Sequence, residues 1–339
     1  MLKNTTFSIL FSVALTALTL VLGSSCNRQA DKAESQKYLR AFDAEVTNHT
    51  KRILLSRGYQ ALIKILYLPG TPLPFIMQNT KMGIDCLSAY DLNKACGVYS
   101  FNEQTSRWDF DSPGSDSIPL QLFFTDRENK VLELRMYKYI ESESAFGMTI
   151  PTVMQAMILD KNNKLLTINY SATLKEGFPE KAQMQLTMGG YECKIELSTT
   201  FTSRKSADVE MKLQLIKDLN RVIEAEIQAA AVISEFETMQ YNQLRASISA
   251  FPLEVTIRSE YEFGKWADEA FFSRWNEQSN IKILTQDGRS LGFITLEGQP
   301  AADRVNLIMH YNDGSQENLE DLQLLVKSIL NVKIVRPVN

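Results

Sequence analysis

Histidine and cysteine are scarce in this chain. Its 339 residues include 2 His and 4 Cys. A metal site built from histidines, or a proton relay centred on one, needs imidazoles that this sequence hardly supplies, so we expect no metal site. Basic residues are not in excess either, because the chain has 36 Lys and Arg and 40 Asp and Glu, which give a net charge of -4. We therefore expect no nucleic-acid partner.

Catalytic motifs are missing as well. The sequence contains no P-loop, no dinucleotide fingerprint, no H-E-x-x-H and no C-x-x-C, and its single G-x-S-x-G match, at residues 288–292, lies in a predicted hairpin rather than between a strand and a helix. Because no set of acid, base and nucleophile can be assembled, we predict a non-enzymatic protein without a cofactor. A hydrolase is the alternative, since carboxylates such as Glu141 and Glu143 cannot be placed across a substrate bond from sequence alone.

The N-terminus has the pattern of an export signal. Lys3 precedes an uncharged apolar stretch at residues 7–22, which is shorter than the roughly 20 apolar residues of a membrane span. Gly23, Ser24 and Ser25 then lead into Cys26. This segment resembles the lipobox of bacterial lipoproteins of the Bacteroidetes type, and the resemblance covers residues 1–26. An ordinary signal peptide with a chance cysteine and a retained transmembrane anchor are the alternatives.

The resemblance implies that residues 1–25 are removed, that Cys26 is acylated, and that residues 26–36 form a lipidated tether. The membrane is then a partner through the lipid anchor, and we expect the cell envelope, at the outer membrane, as the location. Whether the protein faces the periplasm or the cell surface stays open.

Three cysteines follow the anchor, so an exported chain keeps at least one of them unpaired. Cys86 and Cys96 are close enough in sequence to form a disulfide in an oxidising compartment. The alternative is that both remain free thiols, and the sequence does not decide between the two. Cys193 alternates with apolar residues, which predicts a buried free thiol on the apolar face of a strand.

Residues 31–67 have helical periodicity, and the prolines at 69, 72 and 74 end it. We assign residues 37–80 to a helical segment. His49 lies on its apolar side, where a buried, hydrogen-bonded histidine is expected rather than a ligand.

From about residue 97 the apolar period changes to two, and a turn pattern recurs. Asn129-Lys130, Asn163-Lys164 and Asn220-Arg221 each follow an apolar strand and open a new one, and Gly189-Gly190 marks a further hairpin. We predict an antiparallel meander over residues 85–250. Residues 222–248 are rich in Ala and Glu, but alternation favours a strand up to Ala231. For residues 234–248 we expect a helix or an irregular segment.

Residues 251–339 predict further strands at 253–257 and 305–311, a short helix at 265–276, a hairpin over 281–296 and an amphipathic helix at 319–330. This region either stands apart or forms one domain with the meander.

About nine strands at ~4.8 Å spacing make a sheet ~43 Å wide, whereas three helices of roughly 9 Å cover under 30 Å. A flat sheet would leave the uncovered part of its apolar face in water, so the sheet should curl. We predict an α+β, mostly β fold, in which a long antiparallel meander forms a curled sheet or half-barrel with N-terminal and C-terminal helices packed on it. By fold analogy this resembles carriers that hold acyl chains in an open β-barrel, although fold does not establish function.

Two groups of residues are candidate contacts for an apolar ligand or a protein partner. Inward-facing methionines suit either an adaptable apolar pocket or ordinary core packing, and aromatic residues near position 270 serve either as an exposed contact or as buried anchors. These residues are Met136, Met184, Met188 and Met211, and Trp266, Phe271, Phe272 and Trp275.

Ser117 lies in Asp116-Ser117-Ile118, which resembles the O-glycosylation site of exported Bacteroidetes proteins. Taken together, the sequence predicts a lipid-anchored envelope protein of unknown role that binds an apolar ligand or a protein partner. A structural or assembly module of an envelope complex is the alternative.

Overall fold

The protein was analysed as a computed structural model that describes residues 30–73, 95–143, 149–203, 206–233, 239–260, 271–299 and 304–319. In this part of the chain three α-helices accompany sixteen strands. The helices are α1 Lys32–Leu54, α2 Arg57–Tyr67 and α3 Phe271–Gln278. The strands are β1 Gly97–Asn102, β2 Arg107–Ser112, β3 Leu120–Thr125, β4 Val131–Glu143, β5 Thr149–Asp160, β6 Asn163–Lys175, β7 Phe178–Met188, β8 Tyr191–Ser203, β9 Ser206–Lys217, β10 Asn220–Ile233, β11 Met239–Ala250, β12 Leu253–Ser259, β13 Ser279–Thr285, β14 Ser290–Gln299, β15 Arg304–Tyr311 and β16 Gln316–Asn318.

All sixteen strands belong to one open sheet. From β3 to β16 each strand pairs antiparallel with the next, β1 lies parallel to β3, and β2 forms the outer edge beyond β1. This confirms the predicted fold class, an α+β, mostly β protein in which a long meander forms a curled, open sheet. The strand number is larger than the nine expected, and the contour width is about 77 Å at ~4.8 Å per strand.

Alternate turns of the meander bring one set of connections to a common edge, which we call the turn edge. It consists of residues 103–106, 126–130, 161–162, 189–190, 218–219, 251–252, 286–289 and 312–315. The Asn-and-basic turns predicted from the repeat all lie here, as does the hairpin at Gly189-Gly190.

Helices α1 and α2 run along the turn edge on the apolar face of the sheet. At the start of α1, Asp31 caps the helix by accepting from the Glu34 backbone N–H at 2.8 Å, and Ser56 caps α2 in the same way. At Gly58, an added Cβ would lie 2.1 Å from the Leu165 carbonyl oxygen. The glycine therefore lets α2 approach β6 closely.

Each helix covers one end of the sheet. Leu39 and Phe42 of α1 pack into a first buried cluster with residues of β11–β15, and Ala61 and Ile65 of α2 pack into a second with residues of β3–β6. No buried side chain of β7–β10 belongs to either cluster among the described residues. The sheet is therefore stabilised by two separate cores, with the central strands between them.

Charged side chains fasten the helices to the turns. Arg57, at the start of α2, donates to Asp160 at 2.7 Å and to Asp126 at 2.8 Å, so one guanidinium joins two neighbouring turns. At the other end of the edge, Arg289 pairs with Glu34 of α1 at 2.7 Å. These contacts fix where each helix lies along the sheet.

The structure corrects one of the sequence predictions and describes only part of two others. Residues 239–250 form β11, not a helix or an irregular segment, because alternate residues Leu244, Ala246 and Ile248 continue the apolar face between β10 and β12. Of the short helix predicted at 265–276, residues 271–276 are helical within α3, and residues 265–270 lie outside the described residues. Of the predicted helix at 319–330, only Leu319 is described, and β16 directly precedes it.

We predict that Leu219→Gly stabilises the fold. Asp218 and Leu219 both have positive φ, of 50° and 67°, in a two-residue hairpin turn that favours glycine at its second position. Removing the strained leucine should raise the free energy of unfolding by about 0.5–1 kcal/mol in urea denaturation. Asn129→Gly, at φ 58°, is the control and should give no gain, because asparagine tolerates this region. An equal gain in both variants would contradict the strain argument.

The Arg57 contacts should make stability depend on acid pH. Burial alone would raise the pKa of Asp126, but hydrogen bonds from Arg57 and from the Lys130 and Glu128 backbone outweigh it and hold that pKa below its ordinary value of 3.8. The folded state therefore binds fewer protons than the unfolded state. This contribution is complete above pH 3.8 and is lost as the pH falls below it.

Accordingly, Arg57→Gln should cost about 0.5–1 kcal/mol at neutral pH, a modest value because the arginine is partly solvated. This loss of unfolding free energy should become smaller as the pH falls below 3.8, and urea denaturation at several acid pH values measures it. Arg107→Gln on the edge strand β2 is the comparison. It should change neither the free energy of unfolding at neutral pH nor the dependence of that free energy on acid pH. A constant loss at every pH would show that Asp126 is not held ionised by Arg57.

Candidate functional site

The register of the central strands assembles a continuous apolar strip, which we call the central band. It consists of two adjacent rows on the helix-bearing face of β6–β11, and all twelve of its side chains are partly exposed. The first row contains Tyr170, Met184, Ile195, Leu213, Ala225 and Ile248, and the second contains Ala172, Ala182, Leu197, Met211, Ile227 and Ala246.

The central band continues into the buried clusters at its sides. Ile248 is paired with Val255, and Val255 with Ile283, both of which are buried beneath α1. Toward the other side, Tyr170 pairs with Met154, which packs against the second cluster. The same apolar face is thus covered at both ends of the sheet and partly exposed along the central band, although Tyr191 and Leu215 of the central strands are buried nearer the turn edge.

The opposite face of the same strands is polar. Its residues include Asn169, Gln185, Lys194, Gln214 and Glu224, which occupy successive strands at one level. Gln214 donates to Glu224 at 2.6 Å across the strands. This contrast shows that solvent is accommodated on the polar face, whereas the central band presents apolar side chains that water solvates poorly.

Lys212 lies in the next polar row and bridges two strands. Its ammonium group lies 3.2 Å from Glu210 and 3.5 Å from Glu226, and their hydrogen bonds and charges raise its pKa. Charged groups such as Lys212 and Lys194 are thus paired with carboxylates on the polar face of the central strands. The twelve members of the central band carry no ionic charge at neutral pH.

Two shallow hollows adjoin the central strands, and the lining of the second includes Tyr170, Met184 and Ile195 of the central band. One, of about 420 Å³, adjoins the turns around Gly189-Gly190 and Leu219, and the other, of about 380 Å³, lies mainly on the polar face beside Asn169 and Gln185. In the described ranges no group of three His, Cys, Asp or Glu residues could hold a metal ion.

The four candidate methionines divide between core and central band. Met136 is fully buried in the second cluster, and Met188 packs against that cluster. Met184 and Met211 belong to the central band. Ordinary core packing therefore accounts for the first two, whereas the last two supply flexible thioethers to an open apolar face.

The aromatic segment is only partly described. Phe272 and Trp275 are each 8% exposed. Asn276 holds α3 against β14 through two hydrogen bonds with the Leu296 backbone, of 2.8 and 2.9 Å. These two rings are buried anchors, which was one of the two interpretations. Trp266 and the side chain of Phe271 lie outside the described residues.

The other candidate residues have different settings. Cys26 and Cys86 lie outside the described residues, and Cys96 and Cys193 are free thiols. Burial raises the pKa of Cys193, which lowers its thiolate fraction. Ser117 is exposed in the loop between β2 and β3, and its glycosylation stays a prediction.

His49 is buried and hydrogen-bonded on both ring nitrogens, as expected. Its Nδ1 lies 2.9 Å from the Tyr191 hydroxyl and its Nε2 lies 2.8 Å from Glu45. The imidazole therefore joins α1 to the start of β8. Both of its nitrogens are engaged in this structural network, so it does not face the central band as a ligand.

Sequence reasoning identified the alternation of most band residues but not the site that they form. Leu213 and Ile195, for example, are neighbours only because β8 and β9 pair in one register. Ile248 was missed altogether, since its segment was not expected to be a strand. The available signal was the apolar alternation of 244, 246 and 248.

Comparisons with protein-family models, with curated proteins and with solved structures gave no significant match. Among the residues that the structure describes, no helix combines the length and the apolar composition that crossing a bilayer requires.

We predict that truncations in the central band cost little stability compared with truncations in the clusters. Ile158→Ala, at a fully buried position of β5, should lower the free energy of unfolding by 2–5 kcal/mol, on the order of other buried Ile truncations. Ile195→Ala should cost about 1 kcal/mol, mainly through lower β propensity. Urea denaturation of both variants measures the difference. Equal losses would mean that the central band is packed as tightly as the core.

Proposed function

We propose that this protein is a lipid-anchored envelope protein that binds an apolar ligand, an acyl chain, along the central band. The observation that supports this proposal is the interruption of the core. One apolar face runs across the sheet and is buried at both ends, yet along the two rows of the central band its side chains are left partly exposed, although Leu215 and Ala229 beside the band are buried. Contiguous exposed apolar surface of this kind is typical of binding sites.

The central band is long enough to accommodate an acyl chain. Six strands at ~4.8 Å make it about 29 Å wide, whereas an acyl chain spans about half of a ~30 Å bilayer core, or ~15 Å. Four of its twelve members are alanines, which leave space above the sheet between larger side chains. Each methylene group that is buried there would contribute about 0.8 kcal/mol.

The chemistry of the central band selects for the apolar part of a ligand. None of its members is charged. Most lysines and carboxylates of these strands lie on the opposite face, and Lys217, on the same face as the band, lies near the turn edge over the Tyr191 ring. Met184 and Met211 can adjust their side-chain torsions to chains of different shape. We therefore propose selection by apolar character and length rather than by a charged headgroup.

The envelope location is part of this proposal and rests on the lipobox resemblance at Cys26. An acylated Cys26 with further chains would hold the protein at a membrane stably, because the transfer energies of several chains add. The assembly-module alternative has less support, since Phe272 and Trp275 of its aromatic contact are buried.

The test uses the chain without residues 1–26, which keeps every described residue, and a fluorescent fatty acid as the probe. Binding should raise probe fluorescence, and native mass spectrometry should show ligand mass that disappears on denaturation. Leu213→Lys should weaken binding at least about tenfold, because it places a charge in the central band.

Gln214→Lys is the matched control, since it introduces the same side chain at the next position of β9 on the polar face. It should leave probe affinity unchanged. Circular dichroism and urea denaturation should show that both variants fold. Absence of probe binding by the unsubstituted chain, or equal weakening in the two variants, would overturn the proposal.

A further inference from the structure

The turn edge presents exposed apolar side chains at neighbouring positions. Leu55, between α1 and α2, is 68% exposed, Leu219 in the β9–β10 turn is 97% exposed, and Phe251 in the β11–β12 turn is 66% exposed. Large apolar side chains are uncommon at the tips of solvated turns, where small and polar residues dominate.

These three side chains follow one another along the edge. Leu55 adjoins Ser56, which packs against Gly189 in the β7–β8 turn. The turns containing Leu219 and Phe251 come next in the strand order. Successive turns are two strands apart, so the three tips span about 20 Å.

Basic residues surround these tips. One stretch of the turn edge comprises the end of α1 and the four turns from β3–β4 to β9–β10. Its exposed carboxylates are Glu128 and Asp218. The exposed cations of this stretch are Lys51, Arg52, Arg127, Lys130, Lys161 and Lys164, with Arg221 at the start of β10. This stretch is therefore positive in a chain whose net charge is -4.

We propose that the turn edge from the β3–β4 turn to the β11–β12 turn is a contact surface for an anionic lipid bilayer. Leu55, Leu219 and Phe251 would enter the interface, and the surrounding lysines and arginines would lie at the headgroups. Apolar tips combined with basic side chains are the two contributions that bind proteins to anionic membrane surfaces.

The backbone at Leu219 gives separate support. This residue has φ 67°, a conformation that disfavours a leucine. Its side chain is nearly fully exposed and therefore gains almost no packing from the fold. The leucine is unfavourable to the isolated protein. Insertion into a lipid interface gives its side chain an apolar environment.

The proposed anchor is compatible with this orientation. Residues 27–29 separate Cys26 from Ala30, so the anchor lies within ~14 Å of the described chain. The Lys32 backbone N–H donates to Asp313 in the β15–β16 turn at 3.3 Å, which places the chain start at the turn edge. This point alone rests on the acylation proposed above.

The experiment measures cosedimentation of the unacylated chain without residues 1–26 with lipid vesicles. We expect binding to vesicles of phosphatidylcholine and phosphatidylglycerol, weaker binding to phosphatidylcholine alone, and loss of the difference at high salt. The double variant Leu219→Gly, Phe251→Ser should reduce the affinity about tenfold or more, because two apolar side chains leave the interface. Lys161→Glu with Lys164→Glu should reduce binding to the anionic vesicles selectively.

Ile140→Ser is the matched control. Ile140 is 42% exposed but lies on β4 about ten residues, or ~33 Å, from the turn edge. This variant should bind vesicles like the unsubstituted chain. The proposal is overturned if the unsubstituted chain does not bind, if Ile140→Ser weakens binding equally, or if the tips prove to mediate self-association without lipid.

Because this assay omits the acyl anchor, its outcome is independent of Cys26. Fatty-acid probe binding in the same samples reports on the central band. Vesicle binding lost with probe binding kept would reject the membrane surface alone, and the converse result would reject the ligand site alone.

Discussion

The packing of α1 and α2 along the turn edge is the contact on which the rest of the structure depends. Together these helices cover the two ends of a sixteen-stranded sheet. Among the described residues β7–β10 contribute no buried member to either cluster, although Leu186, Met188 and Ile223 pack against the cluster margins. Apolar burial is the main favourable contribution to folding, so it is concentrated at the two ends. The exposed central band and the positive turn edge both follow from where the helices lie.

The central strands are consequently held by different interactions from the ends. Strand pairing on both sides and cross-strand polar contacts such as Gln214 with Glu224 support them. His49 and Tyr191 provide a buried link from α1 to this region. A sheet that is supported in this way can keep an apolar face open without losing its register.

Much of the fold could be predicted from the sequence, because its local signals agree. Asn163-Lys164 and Asn220-Arg221 mark turns, and the alternation that follows them predicts strands. Residues 239–250 were missed because their alternation is interrupted at Gln243, which has φ 57° where the register with β10 shifts. Propensity alone cannot reveal such an irregularity.

The candidate site was harder to predict than the fold. Cross-strand neighbours such as Met184 and Ile195 are set by register, and their exposure depends on how far α1 and α2 reach. The same alternation would describe a fully covered face. The tips at Leu55, Leu219 and Phe251 likewise become one surface only once the meander has placed their turns on a common edge.

The strand order also has a consequence for how the chain folds as it is synthesised. From β3 onward each strand pairs with its successor, so hairpins can form one after another from local contacts. Helix α1 is an exception, because Leu39 and Phe42 near the start of the chain pack against strands β11–β15 near its end. The apolar side of α1 therefore stays without its core until the final strands are available. The C-terminal third of the sheet thus determines when the first helix can complete its packing, and a chain interrupted before β11 would expose that helix to aggregation or proteolysis.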